Sequence, residues 1–105
     1  MDKHTEQTLP KGRPKGQKTH DPLLSKAFGQ TIRINRIAKG ISQESLAHLA
    51  QIERAYMGRI ERGEHTPLLP QIMKIARALE MRPGELLDKT EEILKKQQND
   101  KHKRS

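Results

Sequence analysis

Apolar residues recur every three or four positions along residues 23–88, the spacing that places side chains on one face of an α-helix. No segment alternates apolar and polar residues over the length of a strand. We therefore predict an all-α domain of five helices. The predicted helices are Leu23–Ala38, Gln43–Ala50, Arg54–Arg62, Leu69–Leu79 and a fifth that opens at Pro83 and extends towards Leu94.

Glycine, serine and proline mark the breaks between these helices. Gly40 and Gly63 stand just past the first and third helices, where glycine supplies the left-handed conformation that ends a helix. Ser42 precedes the second helix, and its hydroxyl can accept a hydrogen bond from a free N–H of the first turn. Pro70 and Pro83 fall in first turns, where a missing N–H removes no intrahelical bond.

Polar, basic segments flank this domain. Residues 1–22 contain three prolines, two glycines and too few apolar side chains to pack, so we expect a flexible basic arm. Residues 89–105 extend the fifth helix and end in a lysine-rich run, which we expect to be a flexible basic tail. The sequence thus predicts one folded domain over residues 23–88, an arm before it and an extension after it.

Composition narrows the class of protein. Phe28 and Tyr56 are the only aromatic residues and valine is absent, so leucine, isoleucine, alanine and methionine must form the core, which suits small helices. The absence of cysteine excludes disulfides, thiol catalysis and cysteine-based zinc sites. The net charge of +8 fits either a soluble basic protein or one whose partner is a polyanion.

The sequence contains no signature of catalysis or of a membrane segment. The five histidines do not pair at metal-binding spacing on one helix, and no nucleophile–base set or phosphate-binding glycine loop occurs. We therefore expect no enzyme activity, no metal and no cofactor. Because neither a secretory signal nor a membrane-spanning stretch is evident, we expect a cytoplasmic protein associated with the nucleoid.

The second and third predicted helices carry the feature that points to function. Leu46, Ala47 and Ala50 share one face of the second helix, and Met57 and Ile60 form the facing stripe of the third. Ala47 must be small, because two helices that cross steeply over a short turn bring their backbones close together. The other face of the third helix can then enter the major groove of DNA. Its outward residues are predicted to be Arg54, Ala55, Gly58 and Arg59.

Four segments in correct order resemble one known family. They are Gly40–Ala47, Tyr56–Gly63, Pro67 and Ile75–Leu79. Together they resemble the Cro/repressor-like, or XRE-type, helix-turn-helix transcriptional regulators over residues 26–88. The run Glu53–Tyr56 looks most like the small controller proteins of restriction–modification systems and related phage or plasmid regulators.

The resemblance implies a role in DNA binding for several side chains. Gln43 aligns with a family residue that bonds a DNA phosphate, aided by the positive end of its helix. Arg54 and Arg59 fall on base-facing positions, where each could bond guanine O6 and N7 and add about 1–3 kcal/mol of discrimination. Ala55 could touch a thymine methyl group, and Arg62 would lie near the backbone.

The resemblance also implies a structural pair. Arg36 and Glu61 align with an arginine and a glutamate that join the first helix to the third. The loss of one partner would leave a charge unpaired, at a cost of about 3–5 kcal/mol if the pair is deeply buried.

Several positions admit two interpretations. Tyr56 is either a core residue or a DNA contact, and Arg59 and Arg62 are either DNA contacts or ordinary surface charge. Gly58 either permits close approach to DNA or is simply tolerated, at a cost of about 1 kcal/mol relative to alanine. Gln51 stands where the family usually has glycine, so it is strained if the turn needs a positive φ.

The arm contains a short motif of its own. Lys11, Arg13 and Lys15, with the glycine and proline between them, resemble an AT-hook, an extended element whose arginine enters the narrow minor groove of A·T-rich DNA. The alternative is a basic linker that adds non-specific attraction to phosphates.

We therefore predict a sequence-specific regulator that binds double-stranded DNA as a homodimer and acts as a repressor or autoregulator. The candidate subunit contacts are Met81, Leu86, Leu87 and Ile93. One alternative is an antitoxin that binds a toxin protein and autoregulates its operon, which predicts an extra apolar surface or a tail that folds on a partner. Another is a non-specific architectural DNA protein, which predicts similar affinity for all sequences.

Overall fold

The computed structural model describes residues 21–104, with side chains described as far as residue 100. The described residues form helices and connecting turns without a strand, so the all-α prediction is confirmed. The helices are α1 (Pro22–Ala38), α2 (Gln43–Ala50), α3 (Arg54–Glu61), α4 (Leu69–Ala78) and α5 (Pro83–Arg104). The first four begin and end within one residue of the predicted positions, and α5 begins at the predicted proline.

The helix ends follow the signals in the sequence. The Ser42 hydroxyl accepts a hydrogen bond of 3.0 Å from the N–H of Ser45 at the start of α2. Gly40 and Gly63 adopt φ of 72° and 76°, the left-handed conformation predicted for the residues after α1 and α3. The start of α1 has a cap that the pattern did not indicate, because the Asp21 carboxylate accepts a bond of 3.1 Å from the Leu24 N–H.

All five helices contribute to one apolar core. Its buried members are Phe28, Ile32, Leu46, Ala47, Ala50, Met57, Ile60, Ile75, Ala76, Leu79 and Leu86. Helix α1 crosses α3 at close range at Gly29. A side chain at Gly29 would collide with the backbone carbonyl oxygens of Ile60 and Glu61, so this crossing requires glycine.

The C-terminal extension differs from its prediction, because the expected flexible tail is helical through Arg104. Thr90 is buried, Leu94 is half-buried, and the Gln97 side-chain amide donates to Gln30 Oε1 of α1 at 3.1 Å. Lysine, glutamate and glutamine favour helix, and glutamates precede lysines by four residues along this stretch. Packing on α1 and local helix propensity together explain the longer helix. Even so, none of the helices in the described part of the chain is long and apolar enough to span a membrane.

The predicted subunit contacts need one correction. Leu86 is fully buried inside the protomer, so it cannot contact a second copy. Met81 and Ile93 are half-buried, whereas Leu87 remains 44% exposed. The prediction was wrong for Leu86 because a repeat of apolar residues does not reveal which face of α5 meets the core. The arm residues Lys11, Arg13 and Lys15 lie outside the described residues.

Candidate nucleic-acid interface

A tight turn sets α3 across α2. Gln51 adopts φ 58° and ψ 43°, so the turn has the positive φ that makes a non-glycine residue strained. Its N–H bonds the His48 carbonyl at 3.1 Å, and the next N–H, of Ile52, bonds the Ala47 carbonyl at 2.9 Å. Ala47 is 2% exposed, as expected for a small residue at a close helix crossing. These bonds end α2 and hold the start of α3 at the surface.

The two faces of α3 have opposite character. Met57 and Ile60 are fully buried in the core, as predicted. Arg54, Ala55 and Arg59 are exposed. Neither arginine belongs to an ion pair within the described part of the chain, so both guanidinium groups are available to an anionic or hydrogen-bonding partner.

Gly58 is not on the exposed face, which corrects its predicted position. It is buried because two long polar side chains lie over it. A Cβ atom at Gly58 would lie 3.1 Å from Arg62 Nη1 and 3.2 Å from Gln43 Oε1, tighter than ordinary contact. The absence of a side chain here therefore makes room for the ends of Gln43 and Arg62.

Gln43 belongs to a chain of hydrogen bonds that joins three helices. Arg36 of α1 donates to both carboxylate oxygens of Glu61 of α3, with distances of 2.7 and 3.1 Å. The side-chain amide of Gln43, at the start of α2, donates to Glu61 Oε1 at 3.1 Å. Arg36 also donates to the Ile41 carbonyl at 3.0 Å. With side-chain exposures of 14% and 4%, the two charged groups form a largely buried pair that also fixes Gln43.

Arg62 forms a second, exposed pair just past α3. Its guanidinium donates to both carboxylate oxygens of Glu64, at 2.9 and 3.2 Å. The hydrogen bond from Arg62 holds the pKa of Glu64 below its ordinary value, with a smaller contribution from the charge of Arg59. In return, the bond to Glu64 raises the pKa of Arg62. Arg62 therefore reaches towards solvent as a cation that already has an acidic neighbour.

Tyr56 connects α3 to α4. Its hydroxyl donates to Gln71 Oε1 at 3.0 Å, and its ring meets the His65 ring edge-on with centroids 4.7 Å apart. The same Gln71 oxygen accepts the Leu68 N–H at 2.7 Å, which caps α4 where leucine cannot. Tyr56 is half-buried and its hydroxyl is engaged within the protein.

The structure adds two residues that the sequence analysis did not single out, Gln71 and Lys74 of α4. Both line an open groove with Ala55, Tyr56 and Arg59 of α3. Their spacing of three residues, which places them on one face of α4, was the available signal. It was missed because the apolar residues of α4 suggested only core packing.

Known DNA-binding proteins are similar to this chain in sequence and in fold. Residues 31–92 match the model of the Cro/C1-type HTH DNA-binding domain. The chain is similar to control protein C.BamHI of Bacillus amyloliquefaciens, with 44% identity over 60% of this chain and 79% of that protein. It is also similar to the crystal structure of the restriction-modification controller protein C.AhdI from Aeromonas hydrophila. That likeness has 47% identity, a TM-score of 0.58, and covers 59% of this chain and 94% of that chain.

A second solved structure, under 25% identical, shows the fold alone. The C.Esp1396I controller protein, crystallised as a tetramer with its natural 35-base-pair operator, is 23% identical, with a TM-score of 0.65. The likeness covers 70% of this chain and 97% of that chain. The resemblance drawn from the sequence is confirmed by the family model and by the controller proteins. The chain therefore belongs to the Cro/C1-type helix-turn-helix DNA-binding family.

Proposed function

We propose that this protein is a sequence-specific transcriptional regulator that binds double-stranded operator DNA through α3. The observation that carries the proposal is the division of α3 into two faces. One face is locked into the core by Met57 and Ile60, and the other presents Arg54, Ala55 and Arg59 to solvent. A helix held in this way, with its start projecting from the protein, suits the major groove.

The exposed residues of α3 match the chemistry of base edges. An unpaired guanidinium can donate two parallel hydrogen bonds to guanine O6 and N7, so Arg54 and Arg59 would each read one guanine. The methyl side chain of Ala55 would contact the C5-methyl group of thymine. Each good arginine–guanine contact would contribute about 1–3 kcal/mol of discrimination between bases.

Gln43 and Arg62 would contact the phosphate backbone. The Gln43 amide nitrogen carries two hydrogens and donates one to Glu61, so the second can reach a phosphate oxygen beside the start of α2. Helix N-termini favour such anions. The Arg62 side chain is 58% exposed and would add a charge-assisted contact to a phosphate. The ion pair with Glu64 would weaken this contact. Tyr56 and Gly58 would act indirectly, by holding α3 and by giving room to the Gln43 and Arg62 side chains.

Two copies would bind one operator. A single α3 reads only a short half-site, and a two-fold dimer presents two such helices about one helical turn of DNA apart. The exposed apolar residues Leu24 and Leu87 line one shallow surface with Leu94, where α1 meets α5. This surface, rather than Leu86, would supply the apolar part of a subunit contact.

The similarity to controller proteins favours control of its own operon and of an associated restriction–modification pair, with repression when bound across a promoter. Such a regulator would act in the cytoplasm, on the nucleoid, without enzymatic activity. The helical extension packs on α1 and does not supply the free apolar tail of the antitoxin alternative, whose toxin would have to bind the exposed apolar surface where α1 meets α5. Lys11, Arg13 and Lys15 would add minor-groove contacts beside the half-site.

Footprinting of the DNA upstream of its own gene, at physiological salt, tests the proposal. Wild type should protect a roughly palindromic site, and Arg54→Ala and Arg59→Ala should lose that preference while retaining weak binding to all DNA. Arg33→Ala removes a matched exposed arginine from α1 and should leave the footprint in place. An unchanged footprint with the two α3 variants would contradict the assigned roles.

A further inference from the structure

An open groove runs beside the exposed face of α3. It lies between the first turns of α3 and the middle of α4, and residues of the turn before α3 also line it. The residues that matter here are Glu53, Ala55, Tyr56, Arg59, Gln71 and Lys74. The groove therefore adjoins two of the positions proposed to read bases, Ala55 and Arg59, yet part of its wall belongs to a different helix.

The wall on α4 is held in register with α3. Gln71 accepts the Tyr56 hydroxyl at 3.0 Å and the Leu68 N–H at 2.7 Å, so the start of α4 is tied to α3. Lys74 follows Gln71 by three residues and shares its face of the helix. This places the Lys74 side chain on the side of α4 that faces Ala55 and Arg59.

Charge in the groove favours an anion. Lys74 and Arg59 are exposed, and neither forms an ion pair within the described ranges. Glu53 contributes one opposing carboxylate at the end of the groove, so the two cations exceed it by one charge. A lysine ammonium is a compact, mobile charge suited to a phosphate, whereas it reads base edges less selectively than the arginine fork.

We propose that Lys74 binds a backbone phosphate of the operator strand that passes beside α3. This inference rests on the proposed function, since it requires α3 to lie in the major groove. Lys74 is then a positioning residue on a helix outside the helix-turn-helix pair. It contributes affinity for every sequence and selectivity for none.

The test compares Lys74→Gln with wild type in a titration of operator and unrelated DNA over a series of salt concentrations. Lys74→Gln should weaken binding to both DNAs by the same factor, roughly fivefold to tenfold at 0.1 M salt. It should also lower the slope of log affinity against log salt by about 0.9, the value for one phosphate contact. Lys95→Gln removes a matched exposed lysine from α5, outside the groove, and should change the slope less.

A neutral methylphosphonate placed at successive positions of the half-site locates the contact. At one position the methylphosphonate should lower the affinity of wild type, whereas Lys74→Gln should bind the modified and unmodified operators equally well. An unchanged salt slope, an equal loss in Lys95→Gln, or a loss confined to the operator would overturn the inference. If wild type itself binds all DNA alike, the proposed function fails instead, and the salt slope still decides whether Lys74 touches phosphate.

Discussion

The charged residues at the end of α3 form ion pairs, whereas the charged residues on its exposed face form none among the described residues. The Glu61 side chain is 4% exposed and bonded to Arg36 and Gln43, and Arg62 just beyond it is bonded to Glu64. Arg54 and Arg59 are exposed and belong to no ion pair in the described chain. The buried pair of Glu61 with Arg36 holds the helix in place, and Arg54 and Arg59 remain available to a partner.

This contrast predicts that stability and recognition depend on different residues of one eight-residue helix. Removal of a buried, paired charge leaves its partner without compensation, so the folded state suffers. Removal of an exposed, unpaired charge leaves the fold intact, so only binding suffers. Single substitutions at these positions should therefore change either the free energy of unfolding or the affinity for DNA.

The largest effect is expected at the buried pair. Glu61→Ala leaves Arg36 largely buried without its carboxylate and should lower the free energy of unfolding by about 3 kcal/mol. Urea denaturation measures this loss. Glu80→Ala breaks the exposed pair with Lys39 and serves as the control, because its carboxylate is 78% exposed and should matter little. Similar stability of the two variants would contradict a structural role for Glu61.

The next largest effect is expected at a base-reading residue. Arg59→Ala should lower the preference for operator over unrelated DNA by about 1–3 kcal/mol while the urea midpoint stays unchanged. Fluorescence anisotropy with both DNAs measures the preference. A variant that loses the same affinity for both DNAs would show that Arg59 contacts phosphate rather than a base.

A smaller effect is expected at Gly58, where one substitution should affect stability and DNA binding differently. Gly58→Ala gains up to about 1 kcal/mol of helix propensity, offset by the shift that it forces on Gln43 and Arg62, so the free energy of unfolding should change by less than about 1 kcal/mol. The substitution should weaken operator binding by about 1 kcal/mol, the usual net contribution of one hydrogen bond, because the added methyl group displaces Gln43 and Arg62. Thermal unfolding and anisotropy on the same sample report the two quantities.

A matched control for that variant lies in α5. A methyl group added at Gly84 meets open space, so Gly84→Ala should leave DNA affinity unchanged. If Gly58→Ala binds operator as tightly as wild type, the packing of Gln43 and Arg62 over this glycine has no part in recognition.

The smallest effect is expected at the exposed pair. Glu64→Gln removes the carboxylate that holds Arg62, so affinity for any DNA should rise slightly and its dependence on salt should steepen. Because the bond to Arg62 lowers the pKa of Glu64 below its usual 4.5, the pair persists until pH falls below that value. A titration between pH 6 and 8 should therefore show no contribution from Glu64.

The sequence predicted the helices well because their ends carry local signals. Ser42, Gly40, Gly63 and Pro83 each act on their own neighbourhood, so their effects can be inferred without knowledge of the fold. The paired faces of α2 and α3 follow from helical spacing for the same reason.

Contacts between distant residues were harder to predict. Gly58 was placed on the exposed face because nothing in the pattern shows that Gln43 and Arg62 fold over it. Leu86 was assigned to a subunit surface because the orientation of α5 depends on packing with α1 and α4. The contribution of Lys74 to the groove depends on the Tyr56–Gln71 bond, which joins residues 15 apart in sequence.

One measurement tests the central claim that the exposed face of α3 reads bases directly. Operators in which single guanines are replaced by 7-deazaguanine lack only the N7 acceptor, and their affinities can be compared for wild type and Arg59→Ala. We expect one guanine in each half-site whose replacement lowers the affinity of wild type. The same replacement should leave the affinity of Arg59→Ala unchanged. Additive losses at every guanine would contradict the claim.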